Sequence, residues 1–270
     1  MSYSDPQTLR CANYLSPLLH ETYATIVRYL GEQLGYPVSL SIGHSTDDFA
    51  HDLVDLGFLC GLLYVHTTRK EPRQVEVLAA PVLTGTRYGG QPIYFSDLIV
   101  RQGSSYASFA DLRGCRWAYN ELASHSGWNL VHSTLNRRGE TPAYFSQLLK
   151  SGSHLRSLEM VLAGEADATA IDSHLLDVLR QRDPLLATQL RVIDVFGPSP
   201  IPPLAISTRL DIRTKLHLQA LLTTMHQDTR LARLLNQGCI ERFVTVNDQD
   251  YLPLRDMFDL VQGLAQPQIS

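Results

Sequence analysis

Apolar residues along this chain follow the helical period in some stretches and run together in others, and the two patterns take turns. Tyr23, Ile26, Val27, Leu30 and Leu34 recur at i, i+3, i+4, i+7 and i+11, which predicts a helix with one buried face. Residues 8–14 before it and 37–42 after it read as strands, with Gly35 stopping the helix between them. Residues 47–55 predict a short helix with Phe49, Leu53 and Val54 turned inward. Residues 57–61 then read as a buried strand ending in a glycine turn, with Tyr64 just beyond. Strand and helix alternating across short loops point to an open, mostly parallel α/β sheet, whose ligands lie at the carboxyl ends of its strands.

Residues 75–82 and 94–100 read as further strands, joined by a Gly- and Thr-rich crossing at 83–91. A second α/β unit opens at Phe109-Ala110-Asp111-Leu112-Arg113-Gly114. It holds a short buried strand at 116–119 and a helix through Trp128, Val131 and Leu135. A second helix follows through Leu155, Leu158 and Leu162, then a strand at 165–171, a helix at 174–181 and a strand at 191–196. Four prolines within residues 197–203 exclude helix and favour a stiff extended crossing. Residues 204–207 return as a strand, and helices at 218–225, 231–237 and 251–261 close the chain. The expected architecture is two α/β lobes: residues 1–90 with 204–270, and residues 91–203 with both crossings. A cleft between lobes of this kind suits a small ligand and closes by hinge motion. No internal sequence repeat is visible.

The candidate chemistry lies in two short turns. Ser124-His125-Ser126-Gly127 stands between the strand at 116–119 and its helix, and Ser151-Gly152-Ser153-His154 precedes the next helix. A hydroxyl-rich helix start offers unpaired backbone N–H groups and the positive end of the helix dipole, which suits an oxyanion. The same serines also serve as ordinary N-caps, so residue type alone leaves both readings open.

Composition narrows the classes. Of the 270 residues, 44% are apolar and 19% charged, which fits a globular chain, and the formal charge is −4. Basic residues pair at Arg69-Lys70 and Arg137-Arg138 without longer runs, so no phosphate-backbone footprint is present and nucleic acid is not an expected partner. Cys11, Cys60, Cys115 and Cys239 are widely spaced, form no C-x-x-C, and read as free structural thiols. No metal or nucleotide motif is found, so no cofactor is expected. The first residues carry no basic and apolar leader, and no run approaches a membrane span, so the sequence as written reads as cytoplasmic.

An ordered set of fragments adds a resemblance. Gly61-Leu62-Leu63-Tyr64, Tyr94-Phe95-Ser96, 109–114, Ala118-Tyr119-Asn120, Ser124-x-Ser126-Gly127, 151–154, Val161-x-x-Gly164-x-Ala166-Asp167 and Ala170-Ile171-Asp172-Ser173 occur in this order. Together they resemble the phosphate-, phosphite- and phosphonate-binding components of bacterial ABC importers, over roughly residues 55–210. The resemblance implies a two-lobed type II periplasmic-binding-protein fold, each lobe a mixed, mostly parallel sheet flanked by helices. It also implies an ABC permease as partner and a periplasmic or membrane-tethered location, which the missing leader does not match.

By that resemblance, Ser124, Ser126 and Gly127 supply hydroxyls and backbone N–H groups to the anion, and His154 donates from the neighbouring helix start. Tyr64 and Tyr94 close over the ligand. Asp172, with Ser173 as a weaker candidate, forms a wall to which a protonated anion or an amino group of the ligand donates a hydrogen bond. His125 replaces a small hydroxyl residue, and its side chain either contributes or turns away. Each also has a plain structural reading: His154 and Asp172 as helix caps, and the tyrosines as half-buried aromatics. Residues 198–203 contain no carboxylate to pair an amine, which argues against an aminoalkyl phosphonate. The expected function is non-catalytic capture of a small phosphorus oxyanion. An enzyme on the same fold, of the chorismate-dehydratase type, and a ligand sensor are the alternatives, although no nucleophile–base pair declares itself.

Overall fold

The computed structural model describes residues 8–257. Its elements run β1 (Leu9–Asn13), α1 (His20–Leu34), β2 (Val38–Ile42), α2 (Asp47–Ala50), β3 (Leu56–Phe58), α3 (Gly61–Thr68) and β4 (Val75–Leu83). They continue with β5 (Ile93–Arg101), β6 (Arg116–Tyr119), α4 (Leu130–Arg137), β7 (Gln147–Lys150), α5 (His154–Ala163), β8 (Ala168–Asp172), α6 (Ser173–Arg182), α7 (Pro184–Thr188) and β9 (Leu190–Pro200). The last are β10 (Leu204–Ser207), α8 (Ile212–Thr224), α9 (Thr229–Gln237) and β11 (Ile240–Val244). Residues 252–257 are helical, and the remainder of the expected helix at 251–261 lies outside the described residues.

Two compact units result. One contains the described residues up to Ile93 together with Pro200–Leu252; the other contains Tyr94–Ser199 and residues 253–257. Residues 253–257 therefore pack with the second unit, where the sequence reading places them in the first. Met257 lies against the second unit's apolar core, which explains the difference.

The first unit's sheet has the order β11-β4-β10-β3-β1-β2. β1 pairs in parallel with β2 and β3, and β10 pairs antiparallel with β3 and β4. α1 buries Tyr23, Ile26, Val27 and Leu30, and Tyr23 stacks on Phe58 of β3 at 3.9 Å between ring centroids. Gly31 lets this helix approach the sheet, since a Cβ there would lie 2.0 Å from Val38 Cγ1.

The second unit's sheet has the order β7-β6-β8-β5-β9, with β6 parallel to β7 and β8, and β5 antiparallel to β8. The two sheets match strand for strand: β2-β1-β3-β10-β4 corresponds to β7-β6-β8-β5-β9. An identical polar staple marks the match. Arg10 N and Nε donate to Asp55 Oδ2 at 2.8 and 3.1 Å, and its Nη2 donates to Oδ1 at 3.1 Å. Arg116 N and Nε donate to Asp167 Oδ2 at 2.7 and 3.2 Å, and its Nη2 donates to Oδ1 at 2.7 Å. In return Asp55 N donates to Arg10 O at 2.7 Å and Asp167 N to Arg116 O at 2.8 Å. Each staple locks the starts of a parallel strand pair. The second unit's core is aromatic, with Trp117 stacked on Phe145 at 4.8 Å and Phe109 on Tyr144 at 5.1 Å.

Several predicted elements differ. α2 stops at Ala50; Asp52 adopts a left-handed conformation (φ 57°), which turns Leu53 outward (57% exposed) while Phe49 and Val54 stay buried. The strand predicted at 57–61 ends at Phe58, and Gly61 begins α3 instead. α3 is buried on most sides, so its sequence carries no one-sided apolar stripe. β7, an edge strand, and β11 are absent from the sequence reading. In α5 the buried positions include Leu158 and Val161, whereas Leu155 is 44% exposed.

Candidate anion-binding site

Three parallel strands of the second unit, β6, β7 and β8, deliver their carboxyl ends to one edge of the sheet. The antiparallel β5 brings its beginning to the same edge, with Ser96 opposite Asp172. The turns after β6 and β7 and the start of α6 therefore share one side of the unit, as ligand sites in open α/β sheets do.

The turn after β6 is wide. Asn129 N donates to Ser124 O at 3.1 Å, an i→i+5 bond, so His125–Asn129 form one π turn ahead of α4. Ser124 caps it, its Oγ accepting from Gly127 N at 3.1 Å, and Asn129 Nδ2 donates to Ser124 O at 2.9 Å. Such turns interrupt helices most often at functional sites. Ser96 Oγ donates to Ser126 O at 2.8 Å, pinning the turn to β5.

The two helix starts meet. Ser126 Oγ lies 3.2 Å from His154 Nε2 across the turns after β6 and β7. Gly127 is required there, because a Cβ would fall 2.0 Å from Asn120 Oδ1 and 3.2 Å from His154 Cε1. Burial lowers the His154 pKa to about 4, with the Ala170 carbonyl acting the other way, so the ring is neutral near pH 7. The cluster thus offers hydroxyl, imidazole and amide groups without a permanent charge. Neutral groups of this kind are able to hydrogen-bond a desolvated anion.

Asp172 caps α6, its Oδ1 accepting from His174 N at 2.8 Å and from Leu175 N at 3.3 Å. Desolvation pushes its pKa up to about 7, the two N–H bonds pull it down, and Asp97 and Asp177 add to the rise. Ser173 is buried, and its Oγ accepts from Phe95 N at 2.9 Å, a bond that fastens α6 to β5.

The other candidates have partners of their own. His125 turns away from the cluster: its ring is buried, with Nε2 2.9 Å from Ser199 Oγ on β9 and Tyr94 alongside at 6.2 Å. Burial lowers its pKa to about 3. The π turn is what rotates it inward. Tyr94 is likewise buried against this ring rather than exposed as a lid. Tyr64 belongs to the first unit, and its hydroxyl donates to Asp248 Oδ1 and accepts from Arg73 Nη2 at 3.2 Å. Arg73 also pairs with Asp248 at 2.5 Å, so the Tyr64 hydroxyl belongs to a half-buried network. Of the second serine turn, Ser153 caps α5 through Arg156 N at 3.1 Å, and Ser151 Oγ bonds Ser157 Oγ at 2.6 Å, leaving His154 as the group that faces the first turn.

Sequence reasoning passed over Asn120, Ser96 and Ser199 as site or support residues; Asn120 stood in a noted fragment, with nothing in its type to mark it. Among the described residues no cluster of His, Cys, Asp and Glu could hold a metal ion, and no helix is long and apolar enough to cross a membrane. All four cysteines are free.

Comparison with known proteins gives this geometry a context. The family model of ABC-transporter periplasmic substrate-binding proteins for phosphonate matches residues 12–251. A binding-protein component of an ABC phosphonate transporter from Pseudomonas aeruginosa superposes with a TM-score of 0.81 at 20% identity, over 96% of this chain and 87% of its own. PhnD1 from Prochlorococcus marinus, solved with methylphosphonate, superposes with a TM-score of 0.83 at 16% identity, over 96% and 99%. The alkanesulfonate-binding protein SsuA from Xanthomonas axonopodis pv. citri, bound to MOPS, gives 0.65 at 14% identity, over 96% and 94%. These likenesses show the type II periplasmic-binding fold, and the family match covers most of the sequence. The chain belongs to the phosphonate-binding family of periplasmic substrate-binding proteins of ABC transporters.

Proposed function

We propose that this protein captures a small alkyl phosphonate for ABC-type uptake, releases it unchanged, and holds it at the Ser124–Gly127 turn together with His154. The observation that carries this reading is the 3.2 Å approach of Ser126 Oγ to His154 Nε2, which joins two helix beginnings into one donor cluster. Asp172 stands at the same sheet edge with a raised pKa and favours a ligand that still carries a proton. The methylphosphonate bound to the Prochlorococcus protein supports the same ligand class. Turnover finds less support, since the chain's family is one of transporter substrate-binding proteins.

Isothermal titration with methylphosphonate, phosphite, phosphate, aminoethylphosphonate and methanesulfonate tests the proposal. Saturable heat with at least one phosphorus oxyanion is expected, with Ser126→Ala weakening it roughly ten- to hundredfold, as for loss of one hydrogen bond to a charge. Phosphorus NMR of the recovered ligand should show it unaltered. Folded protein that gives no heat with any of these compounds refutes the proposal.

A further inference from the structure

Where the two helix beginnings meet, one polar side chain has no partner. Asn120 follows β6 directly; its carbonyl accepts from Gly152 N at 3.0 Å, so its backbone serves the fold. Its side chain does not: Oδ1 is buried without a hydrogen bond, and the amide makes none elsewhere among the described residues. A polar group left in this state is costly, and such groups in native proteins call for an explanation.

The location supplies one. The position a Cβ of Gly127 would occupy lies 2.0 Å from Asn120 Oδ1, 3.1 Å from Asn120 Cγ and 3.2 Å from His154 Cε1. Asn120, Gly127 and His154 therefore converge on one point, with Ser126 Oγ bonded to the same imidazole. An asparagine amide carries two N–H donors and a carbonyl in one plane, without charge. A donor of that type suits an oxyanion, whereas a carboxylate of the same shape would repel it.

We infer that Asn120 is a ligand contact of this site, its Oδ1 accepting from the P–OH of an oxyanion that keeps one proton while its amide N–H reaches a second ligand oxygen, and that it excludes any side chain at 127. The inference rests on the oxyanion-capture reading above and adds a residue to its donor set. It also gives the missing partner a source: a P–OH of the ligand donates to the buried Oδ1.

The test is titration of the full chain with methylphosphonate, comparing wild type, Asn120→Ala, Asn120→Asp and Ser126→Ala, with an unfolding midpoint measured for each. Asn120→Ala is expected to weaken binding roughly ten- to hundredfold while its midpoint stays at or above wild type. Asn120→Asp keeps the shape and is expected to bind more weakly still, recovering as the pH is lowered and the new carboxylate is protonated. If both variants bind like wild type while Ser126→Ala does not, Asn120 is no contact and oxyanion capture stands. A lowered midpoint with unchanged affinity assigns Asn120 to the fold and likewise overturns the inference. Folded wild type that binds nothing overturns both.

Discussion

Asp172 and the second unit's histidines are tuned by the same force in opposite senses. Desolvation disfavours charge, so it raises the carboxyl to about 7 and lowers His125 to about 3 and His132 and His154 to about 4. As the pH rises through about 7, Asp172 gains its charge and repels a dianionic ligand. The ratio of Asp172→Asn affinity to wild-type affinity for methylphosphonate should therefore climb across that range. For the histidines the sign is fixed by linkage. A folded pKa below the unfolded value near 6.5 gives stability that is present above pH 6.5 and drains away as the pH falls towards 4. His125→Asn should flatten that loss in acid denaturation curves and lower stability at pH 7. Because the ring faces Ser199, methylphosphonate affinity should change by less than about threefold, against the ten- to hundredfold loss expected where a charged hydrogen bond is removed. These roles were only half legible beforehand. A serine or histidine at a helix start is a cap or a contact according to where the turn points it, and the π turn at 125–129 has no sequence signature.

At the scale of elements, the paired staples divide the labour differently. Asp55 is fully buried between Arg10 and Arg209, whereas Asp167 keeps part of its carboxylate exposed beside Arg116. Asp55→Ala takes the buried carboxylate from Arg10 and leaves Arg209 only its pair with Asp52, and should cost about 3 kcal/mol in denaturant unfolding. Asp167→Ala should cost distinctly less, because water screens its pair. The Arg116 guanidinium holds the Asp167 carboxyl below its ordinary value near 4. Its contribution is therefore present above about pH 4 and vanishes below it, and Asp167→Asn should unfold less steeply there. The long elements were readable because their burial is one-sided: α1 through its i, i+3, i+4 face, and β4, β5 and β8 through apolar runs. α3 was not, because burial on most sides erases the period. β7 escaped because an exposed edge strand shows no alternation.

For the whole molecule, strand order proved more regular than sequence. No repeat can be found in the residues, yet both sheets share one order and one Arg–Asp staple, since topology and a single ion pair constrain few side chains. The extended backbone at 197–200 was legible from its prolines, which exclude helix. The unit that residues 253–257 join was not legible, because an apolar helix does not declare which core it packs on. Ligand binding acts at this scale through mass action. Methylphosphonate at a hundred times its Kd should stabilise the folded chain by about 2.7 kcal/mol. For a chain of this size that corresponds to a Tm rise of roughly 5–10 °C, at about 2–4 °C per kcal/mol. If Ser126→Ala weakens binding about thirtyfold, the same ligand concentration is only about three times Kd. The stabilisation then falls to about 0.8 kcal/mol, or roughly 2–3 °C. Differential scanning fluorimetry resolves these shifts, and equal shifts for both proteins would remove the Ser126 hydroxyl from the binding site.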